Sequence, residues 1–135
     1  MKSKKLAAFL LLLTAVGILI YWALVFSGVF PVSEIIPGYK NWFMSFPIAD
    51  GWIAACALLS LVFLIRNNPL ASLFGIAAGS SLIFLGLYAL LYGINTGLIF
   101  NLTIDELIEI AIKIYCLSTG TYLMIYFWRI RNSYD

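Results

Sequence analysis

The chain has 135 residues, 64% of them hydrophobic and 10% charged, with a net charge of +2. Soluble domains carry about 25% charged residues, so polar side chains are too few to cover a water-soluble globule, and the small, dispersed charge argues against nucleic acid as a partner. Histidine is absent, which removes bis-histidine haem, the usual zinc sites and the usual neutral-pH proton shuttle; no metal, cofactor or catalytic residue is expected.

The length fits one domain, residues 1–135. The first predicted transmembrane helix covers about 6–26, behind Lys2, Lys4 and Lys5. A cleaved signal peptide also starts basic, but its apolar core is only about 7–15 residues and ends in small side chains. Here the apolar run continues through Tyr21, Trp22 and Phe26, so an uncleaved helix is expected. The second helix is predicted over 48–65. Pro47 suits its first turn and Asp50 its positive dipole end, and Asn68-Pro69 turns the chain tightly into a third helix over 70–94. Asn95, Thr96 and Gly97 end that helix. The fourth is expected over 104–128, where Thr103 and Glu106 are spaced as a capping box. Each predicted span is near the ~20 residues that cross ~30 Å of hydrocarbon.

The expected fold is an all-α integral membrane protein, four helices in an up-down-up-down bundle. Lysine and arginine counts orient it. Lys2, Lys4, Lys5, Arg66, Arg129 and Arg131 fall in the two tails and the second loop, and only Lys40 falls in the first loop; both termini are therefore expected in the cytoplasm. Tyr21, Trp22, Trp42, Trp52 and Tyr92 would then form an aromatic belt at the outer interface, with Trp128 at the inner one. The first outer loop, 27–46, is too apolar for a solvated linker; it reads either as an interfacial anchor or as a lid over a cavity. Cys56 and Cys116 lie far apart inside apolar segments, with no C-x-x-C, so two buried thiols are expected rather than redox chemistry.

Projection at 100° per residue gives the third helix two faces. Gly75, Gly79, Gly86 and Gly93 share one, a packing seam of the small-residue kind, facing either a neighbouring helix or a second copy of the chain. Ser81, Tyr88, Tyr92 and Asn95 share the other. The fourth helix carries Glu106, Glu109, Lys113, Cys116 and Gly120 on one face. Lys113 lies roughly 10 Å below the start of its helix at 1.5 Å per residue, where an ionisable group costs about 2.5–3.5 kcal/mol unless relieved. Glu109, one turn outward, is well placed to relieve it, or the lysine snorkels; alternatively it faces a polar cavity and holds an anion or moves a proton. Tyr21, Asp50, Tyr88, Tyr92, Asn95, Glu109 and Lys113 all fall in the outer half, so a polar cleft open to the outside is expected above a dry inner plug. Asp50 reads either as part of that cleft or as a side chain in headgroup water.

Pro37-Gly38-Tyr39, Trp42 and Phe46-Pro47-Ile48-Ala49-Asp50 resemble a pattern in a family of small uncharacterised prokaryotic four-span integral membrane proteins, over roughly residues 20–100. The resemblance implies a multi-pass protein of a prokaryotic plasma membrane and carries no ligand or catalytic residue with it. The size matches small multidrug transporters, but the glutamate that their first span holds at its middle is missing. Three functions compete. The first is a non-enzymatic binding or accessory protein for a lipid, an apolar small molecule or a membrane partner. The second is an oligomeric proton- or cation-coupled transporter using Asp50, Glu109 and Lys113, for which four spans require at least a homodimer. The third, with least support, is a lipid-modifying enzyme built on an Asp50/Glu109 acid–base pair.

Overall fold

The computed structural model describes residues 2–134. Helix α1 runs over Lys2–Phe26, α2 over Tyr39–Phe43, α3 over Pro47–Ile65, α4 over Leu70–Thr96 and α5 over Ile104–Ile130, with a short 3-10 turn at Leu98–Phe100. No strand occurs among the described residues. Four stretches, Ser3–Phe26, Tyr39–Ile65, Leu70–Thr96 and Ile104–Ile130, are long and apolar enough to cross a membrane, which makes this a multi-pass membrane protein by length and composition. The helices overrun the expected spans. α1 starts at Lys2, since lysine is a good helix former, and α4 continues to Thr96 until Gly97 takes a left-handed conformation (φ 75°).

The loop 27–46 is not uniform. Its first part is irregular, and Gly38, at φ 84°, starts the five-residue α2, whose Phe43 is buried. Pro47 sits in the first turn of α3, where its missing N–H costs nothing. At the other end of α3 the turn into α4 is tight: Asn67 adopts φ 52°, and the Asn68 side chain accepts from the Leu70 amide at 2.9 Å.

The helices invert the size rule of a soluble core. Large apolar side chains such as Phe9, Ile48, Phe84 and Ile114 point outward, while Ala7, Ala15, Ala54, Ala57, Ala71 and Ala78 are buried. In hydrocarbon an exposed leucine loses nothing, and tight packing of small residues is what holds helices together. The closest seam joins α4 to α5. A Cβ on Gly79 would meet the Gly120 carbonyl oxygen at 2.7 Å, and one on Gly120 would meet the Gly79 oxygen at 2.6 Å. Gly75 seats the Phe127 ring and Gly86 seats Leu117, so the glycine face of α4 is filled by α5 of the same chain. α3 and α4 are pinned by Ser60 Oγ, which donates to the Ala71 carbonyl at 2.8 Å.

α1 rests mainly on α3 and meets α5 only sparsely. What joins α1 to α5 is polar: the hydroxyls of Thr14 and Tyr115 hydrogen-bond at 2.7 Å, and Tyr122 donates to the Ser3 carbonyl at 3.3 Å. Lys4 donates to Asn67 at 2.7 Å, bringing the start of α1 beside the α3–α4 turn. The end of the bundle that holds this turn is not the dry plug expected from composition. Ser60, Ser72 and Thr119 are buried there or toward the middle, and a recess of about 380 Å³ lies among Lys4, Asn67, Ser133 and Tyr134. Of these hydroxyls, Ser60 returns its proton to a backbone carbonyl of the facing helix, whereas Ser72 Oγ is buried without a partner.

Substituting Gly79→Ala should force α4 and α5 apart against backbone that cannot yield, and overpacking of this kind costs about 1–3 kcal/mol. Gly17→Ala is the control, because nothing lies within 4 Å of its added methyl. Thermal unfolding in detergent should show a lowered midpoint for the first and none for the second; equal midpoints would remove the seam from the account of stability.

Candidate functional site

The bundle encloses one sizeable cleft at the end that carries α2, with a volume of about 360 Å³, inside the roughly 300–1,000 Å³ range of small-molecule sites. α1 contributes Thr14, Gly17, Tyr21 and Trp22, α4 contributes Leu82, Gly86 and Ala89, and α5 contributes Glu109, Lys113 and Cys116. Trp42 and Phe43 of α2 with Phe46 form the roof, and Asp50 is the one lining residue from α3. The walls are mainly apolar, so the expected polar cleft is in fact a greasy one with a few polar groups. It also lies against the first span, because α1 and α5 stand apart above the Thr14–Tyr115 bridge; Gly17, on that edge, faces open space.

Asp50 does not sit in headgroup water. Its residue is 92% buried, from a relative exposure of 8%, and its Oδ2 accepts from the Trp22 indole N–H at 2.7 Å. The other carboxylate oxygen, Oδ1, is buried without a partner. Trp22 is therefore no belt residue: it is buried, packs on Phe43 at 5.6 Å between ring centroids, and ties α1 to α3. Its neighbour Tyr21 lines the cleft facing Glu109. Trp42 also leaves the belt, stacking on Tyr92 at 3.8 Å with 6° between the rings. Of the five residues expected at that interface, Trp52 is the one that stays openly exposed.

Lys113 is buried, and its ammonium lies 3.5 Å from Glu106 Oε1. The expected partner was Glu109, one turn away. Glu106 is two turns away on the same buried stripe, and the path between them is open because Gly93 of α4 offers no side chain: a Cβ there would stand 3.3 Å from Lys113 Nζ. The capping box is accordingly half made. Thr103 Oγ1 accepts from the Glu106 amide at 3.2 Å, but the Glu106 carboxylate turns inward to the lysine and the Thr103 amide donates to the Asn101 carbonyl instead.

The structure thus brings Tyr21, Asp50, Glu109 and Lys113 together in the cleft and leaves three expected members outside it. Tyr88 lies exposed along Phe84, Tyr92 supports the roof from behind Trp42, and Asn95 is exposed near the end of α4. The face of α4 that bears them is the one turned away from α5, which helical projection had already separated from the glycines. Trp22, Trp42, Phe43 and Thr14 were not expected in the site. For Trp22 a signal existed: it falls four residues before the end of α1 and Asp50 falls three after the start of α3, so two successive antiparallel helices put them at one depth. For Thr14 and Tyr115, 101 residues apart, no local signal exists.

Both cysteines are buried and unpaired, and Cys116 reaches the cleft while Cys56 does not. Among the described residues no group of three or more histidine, cysteine or carboxylate side chains is arranged to hold a metal ion.

A buried ion pair is costly to break from one side because the remaining charge is stranded. Lys113→Met should therefore lower stability by about 3–5 kcal/mol, and adding Glu106→Gln should restore a large part of the loss. Thermal unfolding of the two single variants and the double variant in detergent measures this; strictly additive losses would mean the pair does not exist.

No family model matches this chain, and neither a curated protein nor a solved structure does, so its functional reading is drawn from the chemistry of the cleft itself.

Proposed function

We propose that this chain is a plasma-membrane protein that holds one lipid or apolar small molecule in the cleft and does not transform it. The observation that carries this reading is a cavity of about 360 Å³ roofed by aromatic rings, walled by aliphatic side chains and bordered by α1 and α5, which meet only sparsely. A pocket of mostly apolar lining with a few placed polar groups is the usual form of a small-molecule site. An opening between α1 and α5 would let a ligand arrive sideways from the bilayer. In this reading both termini and the α3–α4 turn are cytoplasmic, in line with the distribution of lysine and arginine, and α2 covers the cleft on the outer side.

Coupled transport has weaker support. Below the cleft the Thr14–Tyr115 bridge and the glycine seam of α4 and α5 close the way, so a path across the membrane would have to come from further copies of the chain or from a partner. A lipid-modifying enzyme has weaker support still, because Asp50 is held by the Trp22 indole and Glu109 faces Tyr21 rather than forming an acid–base pair with Asp50.

Gly17→Trp places an indole in the open edge of the cleft without meeting other atoms at its Cβ. Native mass spectrometry of the full chain released from lipid should show a bound small molecule or lipid on the wild type and its loss from the variant. Identical spectra for the two, with or without adducts, would refute the binding reading. Tail-reporter fusions should place both ends on the cytoplasmic side; opposite sides would refute the orientation.

A further inference from the structure

The charges at the cleft do not balance. Asp50 and Glu109 line it, and Lys113 is its one basic lining residue. The Lys113 ammonium is already engaged by Glu106 at 3.5 Å. Three carboxyl groups thus stand against a single ammonium, and Asp50 is supplied by the protein with one donor, the Trp22 indole N–H. Asp50 is 92% buried (8% exposed), and its second oxygen has no partner. A carboxylate can accept at about four lone-pair positions, and a buried one left short of partners is expensive. Whatever enters the cleft therefore meets two carboxyl groups beside one ammonium that is already engaged, an excess of formal negative charge, while Asp50 Oδ1 itself stays covered by protein.

The surrounding rings match that charge. Trp22, Trp42, Phe43, Phe46 and Tyr21 all line the same cleft. Trp42 is fixed against Tyr92, and Phe43 is wedged against Trp22 at 5.6 Å and Tyr21 at 6.2 Å, so their faces are held in place before a ligand arrives. Aromatic faces attract ammonium groups, more strongly where water is excluded.

We infer that the occupant of the cleft is an amphiphilic cation, a protonated amine or quaternary ammonium on an apolar body, with its charge between Asp50, Glu109 and the aromatic roof and its body along Gly17, Leu82 and Leu85. This rests on the reading of the cleft as a binding site and adds the sign of the charge. An anion would have to draw Lys113 away from Glu106 and strand that carboxylate, which is 9% exposed. The ammonium could belong to a lipid headgroup or to a free amphiphilic amine; the chemistry read by the cleft is the same.

The test uses the full chain in uncharged maltoside micelles and three probes with one phenylbutyl body: the trimethylammonium, its neutral tert-butyl isostere and the sulfonate. Equilibrium binding above empty micelles should favour the ammonium over the isostere by about tenfold or more, which is the factor that 1.4 kcal/mol represents. Asp50→Asn keeps an oxygen for the Trp22 N–H, and Glu109→Gln is nearly isosteric; each should weaken the ammonium about tenfold more than the isostere, and Gly17→Trp should abolish both. Equal binding of ammonium and isostere, unchanged in ratio by either amide variant but lost in Gly17→Trp, would overturn the cationic assignment and leave the binding site standing. Tightest binding by the sulfonate would overturn it in favour of Lys113 as an anion site. Binding of every probe that survives Gly17→Trp would overturn the cleft itself. Displacement of the ammonium probe by lysophosphatidylcholine but not lysophosphatidylglycerol supports a headgroup as its natural source, and displacement by neither supports a free amine.

Discussion

Backbone lies against backbone where Gly79 meets Gly120, and this contact sets the positions of the other parts. In hydrocarbon there is no hydrophobic force to press helices together, so the approach must come from dispersion between closely fitted surfaces. Glycine on both sides lets α4 and α5 meet backbone to backbone. Once they are joined, Phe127 and Leu117 fill the spaces at Gly75 and Gly86, and the stripe of α5 that bears Glu106 and Lys113 is carried inward against Gly93. The same economy of space runs through α3 and α4, where Ser60 reaches the backbone of Ala71. α1 has alanines toward α3 but no such seam toward α5, and the gap this leaves becomes the cleft.

Ionisable groups inside the bundle are given a partner by the chain in two places. Asp50 has Trp22, and Lys113 has Glu106. Each pair costs desolvation that its own attraction offsets only in part, and a membrane protein selected for stability alone would fill these positions with leucine. Both pairs border one cavity, and each leaves a carboxylate oxygen without a hydrogen bond. Half-satisfied polar groups lining an apolar cleft are the usual mark of a site. Its roof belongs to the same arrangement. α2 is five residues long and would not be stable in isolation; it is held by Phe43, buried among Tyr21, Trp22 and Tyr39, and by Trp42 on Tyr92.

The amino-acid sequence by itself determined that the solvent is lipid, that four helices are long enough to cross it, and where they begin and end to within four residues. Apolar run lengths, Pro47, the Asn68-Pro69 turn, Gly97 and the Thr103 cap are local signals, read within a few residues. The glycine face of α4 was legible too, because helical period is a local property, and so was the anomaly of Lys113. What only the tertiary structure decided is who meets whom. Lys113 chose Glu106 over the nearer Glu109 because α4 offers a gap at Gly93, a fact of the facing helix. Asp50 became a buried group because a tryptophan 28 residues earlier lands on it when α1 and α3 pack. Tyr88, Tyr92 and Asn95 share depth with the cleft yet lie on the wrong side of α4, since depth comes from position along a helix but facing comes from which neighbour takes the glycines. Periodicity fixes faces; only packing assigns each face its partner.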